Sequence, residues 1–386
     1  MFPSLCLAAA LAGIDNPLRA ESELSAAITD AELRAHVYRL ASPEFAGRRG
    51  AGGVRAAEHV AAAFRRLGLE PAFSGSYFQP IPWLLADPQA KSQPLGRNVG
   101  GLLPGRDPAL RSEWIIVAAH FDHLGVRGQS LYPGADDNAS GVAMLLEVAE
   151  QFALSEQRPR RTIVFVSFDL EEQGLQGSSH FAAHPPLEFG KLKAFLVADL
   201  IGRSMAGVMD EVVYALGSES ADRLRSLVTD VRPESGLVVH RLGADLVGTR
   251  SDYGPFRDRQ TPFLFFTTGT HRDYHQPTDR PERINYAKLG RISRWIAAIA
   301  DRLANDDAAP EWTSQREPDL DEARSVLQLL ERVHDRSTDV GLNDEQLRRV
   351  AEARDRLRDI VARGRVTPAE RTWLVWTARA LMLTVF

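Results

Sequence analysis

Cysteine is almost absent from this sequence, which has a single one, Cys6, in 386 residues. A disulfide within the chain is therefore excluded, and catalysis by a thiolate is not expected. Charge of one sign is not in excess either, because 46 Lys and Arg stand against 51 Asp and Glu, and no long basic run occurs. We therefore expect no nucleic acid among the partners.

Long apolar runs are also missing. No stretch approaches the ~20 apolar residues that a membrane-spanning helix needs. The apolar residues 5–13 have the length of a signal-peptide core, although no Lys or Arg precedes them. We predict that residues 1–20 are a leader and that the protein is exported, either to a periplasm or to the medium. The alternative is a disordered leader on a cytoplasmic protein.

Several active-site motifs are absent as well. The sequence contains no G-x-S-x-G, no H-E-x-x-H, no P-loop and no G-x-G-x-x-G. These absences argue against serine hydrolases with a nucleophile elbow, against single-zinc peptidases of the H-E-x-x-H type, and against nucleotide-dependent enzymes.

Four short runs rich in Val, Ile and Phe predict strands that are covered on both faces. They span residues 114–119, 162–168, 193–198 and 262–268. Residues 140–153, between the first two runs, carry apolar residues at helical spacing. Buried strands that alternate with helices predict an α/β fold with a mixed, mostly parallel sheet flanked by helices.

The sequence changes in character after residue 305. Residues 306–318 are polar and predict a linker. Residues 319–386 contain three segments with helical spacing, and capping signals begin the second at Asn343 and the third at Thr367. We therefore predict a main domain over residues 28–305 and a small C-terminal helical region.

Residue types that bind metals follow each of the four predicted strands, in the order His120 and Asp122, Glu171 and Glu172, Asp199, and His271 and His275. A further pair, Asp136 and Asp137, precedes the predicted helix. In an open parallel sheet the carboxyl ends of the strands meet at one edge, where ligands bind. So many carboxylates and imidazoles at one edge are costly without a cation. The ligand types suit zinc, with manganese or cobalt as alternatives.

Five segments resemble, in this order, the motifs of the di-zinc aminopeptidase family of metallopeptidases: WIIVAAHFDHLG, GADDNASGVAMLLEVA, FVSFDLEEQGLQGS, VADLIGR and DYHQPTDRPERINY. The resemblance covers about residues 35–305. It implies the fold of the zinc exopeptidases, which is phosphorylase/hydrolase-like. It also implies two zinc ions per chain and a peptide substrate, and makes residues 28–305 a zinc peptidase domain.

The resemblance also implies which residue binds which ion. His120 and Asp199 are expected to hold one ion, and Glu172 and His275 the other. Asp137 is expected to bridge both ions, because the family pattern places the bridging aspartate directly before Asn138.

Three catalytic residues follow from the same resemblance. Glu171 is implied as the general base. Asp122 is implied as the carboxylate that orients the His120 imidazole. Tyr274 is implied as a donor to the tetrahedral oxyanion, with a rim aromatic as the alternative. The sequence departs from the family pattern at Tyr253, where a histidine is common after Ser-Asp, so we expect Asp252 and Tyr253 to shape the substrate pocket differently.

An aminopeptidase is the function that these residues favour. A carboxypeptidase or dipeptidase on the same metal core is the enzymatic alternative, because Arg203 and Arg250 could meet a free carboxylate. A non-catalytic binding ectodomain is the alternative from another class. His123 and His271 could line the pocket, but we expect them at the surface or behind the ligands.

Overall fold

The structure is a computed structural model, and it describes residues 27–82, 94–314 and 318–384. The predicted leader, residues 1–20, lies outside the described residues. Across those described ranges, no helix is both long and apolar enough to span a membrane.

The N-terminal and central parts of the described chain begin with two helices and then alternate strands with helices. These elements are α1 (Asp30–Leu40), α2 (Ala51–Arg66), β1 (Glu70–Pro71), β2 (Phe78–Ile81), β3 (Gly96–Leu103), β4 (Trp114–His120), β5 (Gly125–Arg127), β6 (Ser130–Tyr132), α3 (Gly141–Ala153), β7 (Thr162–Phe168), α4 (Gln176–Ala183) and β8 (Leu192–Ala198).

The rest of the described chain completes the sheet and ends in helices. These elements are β9 (Val212–Leu216), α5 (Asp222–Asp230), β10 (Val238–Leu242), α6 (Ala244–Val247), α7 (Gly254–Arg257), β11 (Phe263–Thr267), α8 (Tyr286–Asn305), α9 (Leu320–Asp335), α10 (Ser337–Val340), α11 (Asp344–Ala362) and α12 (Pro368–Thr384).

The main sheet has the strand order β1-β3-β7-β4-β8-β11-β9-β10, with β2 also paired to β3. The pairs β7–β4, β4–β8 and β8–β11 are parallel. Antiparallel pairs join β3 to β7 and β11 to β9, and β9–β10 is parallel again. The predicted α/β fold with a mixed sheet and flanking helices is therefore confirmed, and continuous parallel pairing is confined to the four central strands.

The four predicted strands are β4, β7, β8 and β11, each with its ends within one residue of the prediction. Alternate residues of a strand face opposite sides of the sheet. In β4, Ile115 and Val117 pack into the hydrophobic cluster under α1, α2, α3 and α8. Trp114 and Ile116 pack into the cluster under α4, α7, α9 and α11. Burial on both faces explains why the sequences of these strands are continuous apolar runs.

The C-terminal helices pack on the same sheet as the rest of the chain. Val326 and Leu330 of α9 share a hydrophobic cluster with Tyr214 of β9 and Phe263 of β11. The predicted capping box of α11 is present, with Asn343 and Gln346 bonded in both directions. Within this C-terminal region the short helix α10 was not predicted, because a single turn carries too little periodicity to be recognised.

A partly buried ion-pair cluster, formed by Asp245, Glu322 and Arg371, ties α12 to α6 and α9. Arg371 donates to Asp245 Oδ1 at 2.7 Å, and its Nε lies 2.5 Å from Glu322 Oε2. Glu322 also accepts a hydrogen bond from the backbone of Gly243, at 2.7 Å. Burial raises the pKa of Glu322 to about 7, although Arg371 acts in the opposite direction.

We expect Glu322 to make stability depend on pH. Its pKa is about 7 in the folded chain against an ordinary 4.5, so the folded chain binds the proton more tightly. The free energy of unfolding should therefore fall by up to roughly 3 kcal/mol as pH rises between these values. Glu322→Gln should remove this fall when urea unfolding is measured at pH 4.5 and pH 7.5.

The matched control is Asp335→Asn, on the same helix, whose side chain is 75% exposed. This variant should keep the pH dependence of the wild type. If the free energy of unfolding of Glu322→Gln depended on pH as strongly as that of the wild type, the carboxyl of Glu322 would not titrate between pH 4.5 and pH 7.5.

Candidate metal centre

The five predicted metal ligands lie together at the carboxyl end of the central strands. His120 is the last residue of β4, and Asp199 comes directly after β8. Glu172 lies in the turn after β7, His275 in the loop after β11, and Asp137 in the single turn Ala135–Ser140 that precedes α3. Parallel pairing of the central strands brings these loops to one edge of the sheet.

The first ligand group consists of His120, Asp137 and Asp199. His120 Nε2 lies 3.4 Å from Asp199 Oδ1 and 3.6 Å from Asp137 Oδ1. All three side chains are buried, and neither His120 Nε2 nor Asp199 Oδ1 has a hydrogen-bond partner within the described part of the chain. Buried polar atoms without partners cost about 1–3 kcal/mol each, so this group fits a bound cation.

The second ligand group lies on the other side of Asp137. His275 Nε2 lies 3.1 Å from Asp137 Oδ2 and 3.1 Å from Glu172 Oε2. The two carboxylate oxygens of Asp137 thus face different groups, which is the placement that a bridging ligand requires. Neither group needs another residue to provide the mixed imidazole and carboxylate donors typical of zinc sites.

His123 belongs to the second group as well. Its Nδ1 lies 2.7 Å from Glu172 Oε1 and 3.7 Å from Asp137 Oδ2. His123 is buried, which excludes the surface position that was one expectation from the sequence. It can donate a hydrogen bond to Glu172 or offer Nδ1 to a cation.

Asp136 does not face either ligand group. Its Oδ1 accepts a hydrogen bond from Gly202 N at 2.6 Å, and its Oδ2 lies 3.2 Å from His271 Nε2. Asp279 accepts hydrogen bonds from the backbone N–H groups of Asp136 and Asp137, at 3.0 and 3.1 Å. His271 and Asp279 therefore hold the turn that carries Asp137, and His271 lies behind the ligands.

Arg48 also holds this turn in place, and no sequence pattern predicted this role. Its side chain is fully buried. The guanidinium donates hydrogen bonds to five backbone carbonyls, those of Leu40, Phe121, Pro133, Gly134 and Asp137, at 2.6 to 3.1 Å. Burial lowers the pKa of Arg48 to about 10, although Asp137 and Asp279 oppose this shift, so the guanidinium is charged at neutral pH.

Asp122 connects His120 with the paired glutamates. Its carboxylate accepts hydrogen bonds from the N–H groups of Glu171 and Glu172, at 3.0 and 3.3 Å. His120 Nδ1 lies 3.2 Å from the carbonyl oxygen of Asp122 and 3.6 Å from its carboxylate. The carboxylate therefore fixes the glutamate turn more directly than it orients the imidazole.

Glu171 lies next to the ligand groups in a strongly acidic environment. Burial raises the pKa of Glu171 well above its usual range, and Asp252 and Asp199 add to the effect while His120 opposes it. Tyr274 stacks on the His275 ring with a centroid distance of 3.9 Å. Burial, together with repulsion from the site carboxylates, raises the pKa of Tyr274, so its hydroxyl keeps its proton at neutral pH.

Tyr253 does not shape the pocket, contrary to the expectation from the sequence. It is fully buried, stacks on Phe263 at a centroid distance of 5.0 Å, and donates a hydrogen bond from its hydroxyl to the carbonyl of Gly248.

Arg203 and Arg250 are the two arginines that the sequence suggested for contact with a substrate carboxylate. Arg250 donates to the carbonyl of Val247 at the surface, and Arg203 forms an ion pair of 3.0 Å with Asp273.

The family model described as "Peptidase family M28" matches residues 98–300, which is more than half of the chain. The chain therefore belongs to peptidase family M28, and the family predicted from the sequence motifs is confirmed.

Curated relatives include Aminopeptidase YwaD of Bacillus subtilis (strain 168), with 26% identity over 207 residues that cover 51% of this chain and 42% of YwaD. A probable zinc metalloprotease of Pyrenophora tritici-repentis is 36% identical over 111 residues, covering 28% of this chain and 24% of the relative. The chain thus spans less than half the length of both relatives.

A similar solved structure is that of the LapA aminopeptidase of Legionella pneumophila. Its TM-score is 0.60 at 21% identity, and the match covers 77% of this chain and 78% of LapA. At this identity the likeness supports the fold alone.

We expect Arg48→Met to disturb the metal centre by releasing the turn of Asp137. Five carbonyls would lose their donor, which should cost at least ~2 kcal/mol of stability. The affinity for zinc should fall with it, and Arg48→Lys should restore part of the affinity through its ammonium. Thermal unfolding and zinc titration measure the two effects.

Arg49→Met is the matched control, because Arg49 is the exposed neighbour of Arg48. It should leave both the melting temperature and the zinc affinity unchanged. A folded Arg48→Met protein with the zinc affinity of the wild type would contradict the role of Arg48.

Proposed function

We propose that this protein is a di-zinc exopeptidase that removes N-terminal residues from peptides. The observation that carries the proposal is the position of Asp137, with one carboxylate oxygen toward His120 and the other toward His275. A single carboxylate between two ligand groups is suited to a pair of metal ions.

The ligand assignment follows the two groups. One ion would be held by His120, Asp137 and Asp199, and the other by Asp137, Glu172 and His275. His123 donates its Nδ1–H to Glu172 Oε1, which fixes the orientation of that ligand. Carboxylate oxygens and imidazole nitrogens suit zinc, and cobalt or manganese can also be held by such a set.

When bound, the two ions lower the pKa of a water molecule and polarise the scissile carbonyl. Glu171 accepts the proton of the attacking water and delivers it to the leaving amine. Asp122 holds Glu171 in place through the backbone N–H group. The Tyr274 hydroxyl, protonated at neutral pH, donates a hydrogen bond to the oxyanion that forms on the carbonyl oxygen.

Removal of N-terminal residues is supported by the likeness to YwaD, which is named an aminopeptidase. A carboxypeptidase or dipeptidase would use the same metal ions and the same base, so the ligand groups are compatible with either. Export of the protein is a separate proposal, which rests on the sequence of residues 1–20.

The roles of base and ligand can be separated by two variants. Glu171→Gln should keep the zinc content of the wild type and lose at least ~100-fold in kcat, because only proton transfer is removed. His275→Ala should lose zinc, since it removes a metal ligand. Zinc content by mass spectrometry and kcat on an aminoacyl-nitroanilide measure the two effects.

His184→Ala is the control for His275→Ala, because His184 is exposed on the surface. It should keep both zinc and activity. Full activity in Glu171→Gln would disprove its role as the base. A loss of zinc in His123→Ala as large as in His275→Ala would make His123 a ligand.

Substrates with free and blocked N-termini separate the two kinds of exopeptidase. We expect the zinc-loaded protein to hydrolyse leucine p-nitroanilide and free peptides, and to be at least ~10-fold slower on their N-acetylated forms. Activity only on N-blocked peptides with a free C-terminus would show that the protein is a carboxypeptidase.

A further inference from the structure

A cavity of about 530 Å³ lies between the metal-ligand loops and the C-terminal helical region. Its lining includes Arg203 from the loop after β8, and Thr270, His271 and Arg272 from the loop after β11. Asp339 and Val340 of α10 line the opposite side. The volume is in the range of pockets that bind small molecules.

The cavity is adjacent to the metal centre along both loops. Arg203 follows the ligand Asp199 by four residues, and Arg272 precedes the ligand His275 by three. Since a chain spans at most ~3.6 Å per residue, the two arginine backbones lie within about 14 and 11 Å of the ligand backbones. The two arginine backbones are therefore no further from the ligand backbones than the length of about four extended peptide residues.

One guanidinium on the lining is free to contact a ligand, and a second adds positive charge. Arg203 uses Nη2 for Asp273, at 3.0 Å, and its Nη1 is closed off from solvent and has no hydrogen-bond partner in the described parts of the chain. Asp273 also lies 3.3 Å from Arg283, so it does not neutralise Arg203 alone. Arg272 is exposed and forms no ion pair with any residue that the structure describes.

Negative charge on the lining is limited to one residue. Asp339 is the carboxylate among the described lining residues, and it forms an ion pair with Arg336 on its own chain segment. Besides the two arginines, the rest of the lining consists of small or uncharged residues and of His271, whose Nε2 faces Asp136. The cavity therefore presents positive charge and little charge of opposite sign.

From these contacts, and resting on the proposed peptidase function, we propose that the cavity binds a carboxylate of the peptide substrate. Arg272 is the donor, Arg203 adds positive charge to the lining, and α10 of the C-terminal helical region forms the outer wall. Guanidinium groups are well suited to carboxylates, because their planar donors match the two oxygens. The carboxylate is either an acidic side chain or the C-terminus of a short peptide.

The test compares peptides that differ only in this carboxylate. The set is Leu-Gly-Gly amide, Leu-Gly-Gly with a free C-terminus, and Leu-Glu-Gly amide, hydrolysed by the zinc-loaded full chain. We expect kcat/KM to be about tenfold higher for at least one carboxylate-bearing peptide than for the neutral amide, a typical effect of one charged hydrogen bond. The better of the two peptides identifies the source of the carboxylate.

Variants connect this preference to the cavity. In Arg272→Met and Arg203→Met, the ratio of kcat/KM between the preferred peptide and the neutral amide should fall towards one. Val340→Trp, which fills the cavity from α10, should reduce the same ratio, with circular dichroism to verify folding. Arg280→Met, at an exposed arginine of the same loop, should keep the wild-type ratio.

Failure of this proposal is distinguishable from failure of the proposed function. Hydrolysis of all three peptides at equal kcat/KM would overturn the carboxylate pocket and leave the peptidase intact. If no peptide is hydrolysed, the affinities of the three peptides for the zinc-loaded Glu171→Gln protein, measured by calorimetry, still test the carboxylate pocket. Tighter binding of a carboxylate-bearing peptide, lost in Arg272→Met, supports the pocket, and equal affinities overturn it.

Discussion

The concentration of negative charge around Asp137 is the constraint on which the rest of the site depends. Asp122, Glu171, Glu172 and Asp199 all lie close to it, and Asp252 adds a further buried carboxyl. Buried carboxylates at this density repel one another strongly. Arg48 supplies one fixed positive charge at the base of the cluster, which leaves most of the charge to be balanced by cations.

Backbone contacts explain how the chain keeps these side chains in position. Arg48 holds carbonyls from both the loop after β4 and the turn of Asp137, while Asp279 holds the N–H groups of that turn. Asp122 does the same for the N–H groups of the glutamate turn. The turns that carry the predicted ligands Asp137 and Glu172 are therefore held through their backbones, which is the kind of support that a metal site requires.

Much of this arrangement could be predicted from the sequence, because it is encoded locally. Runs such as WIIVAA are apolar throughout since β4 is buried on both faces, and His120 marks the point where the strand reaches the site. Arg48 could not be predicted in the same way, since its partners are carbonyl groups, which every residue type carries. Three of them, in Pro133, Gly134 and Asp137, lie more than eighty positions away.

Where the sequence-based expectation was wrong or missing, the cause was a three-dimensional position that the sequence does not reveal. Tyr253 is surrounded by Phe263 and Phe265, and its place in a family motif could not show that its ring points into the core. α10 has only four residues, too few for any periodic signal, yet it lines the cavity beside the metal-ligand loops. Short elements that pack at a site are recognisable only when tertiary contacts are known.

Ion pairs as well as apolar packing hold the C-terminal helical region beside this site. α9, which leads directly into α10, carries the buried Glu322, and the partly buried Arg371 pairs with this carboxylate. Such ion pairs contribute little net stability compared with apolar packing. The cluster of Asp245, Glu322 and Arg371 joins α6, α9 and α12, and so adds to the contacts that place these helices on the sheet. That placement determines how far α10 stands from the arginines across the cavity, so the same contacts that dock the helices also set the width of the pocket.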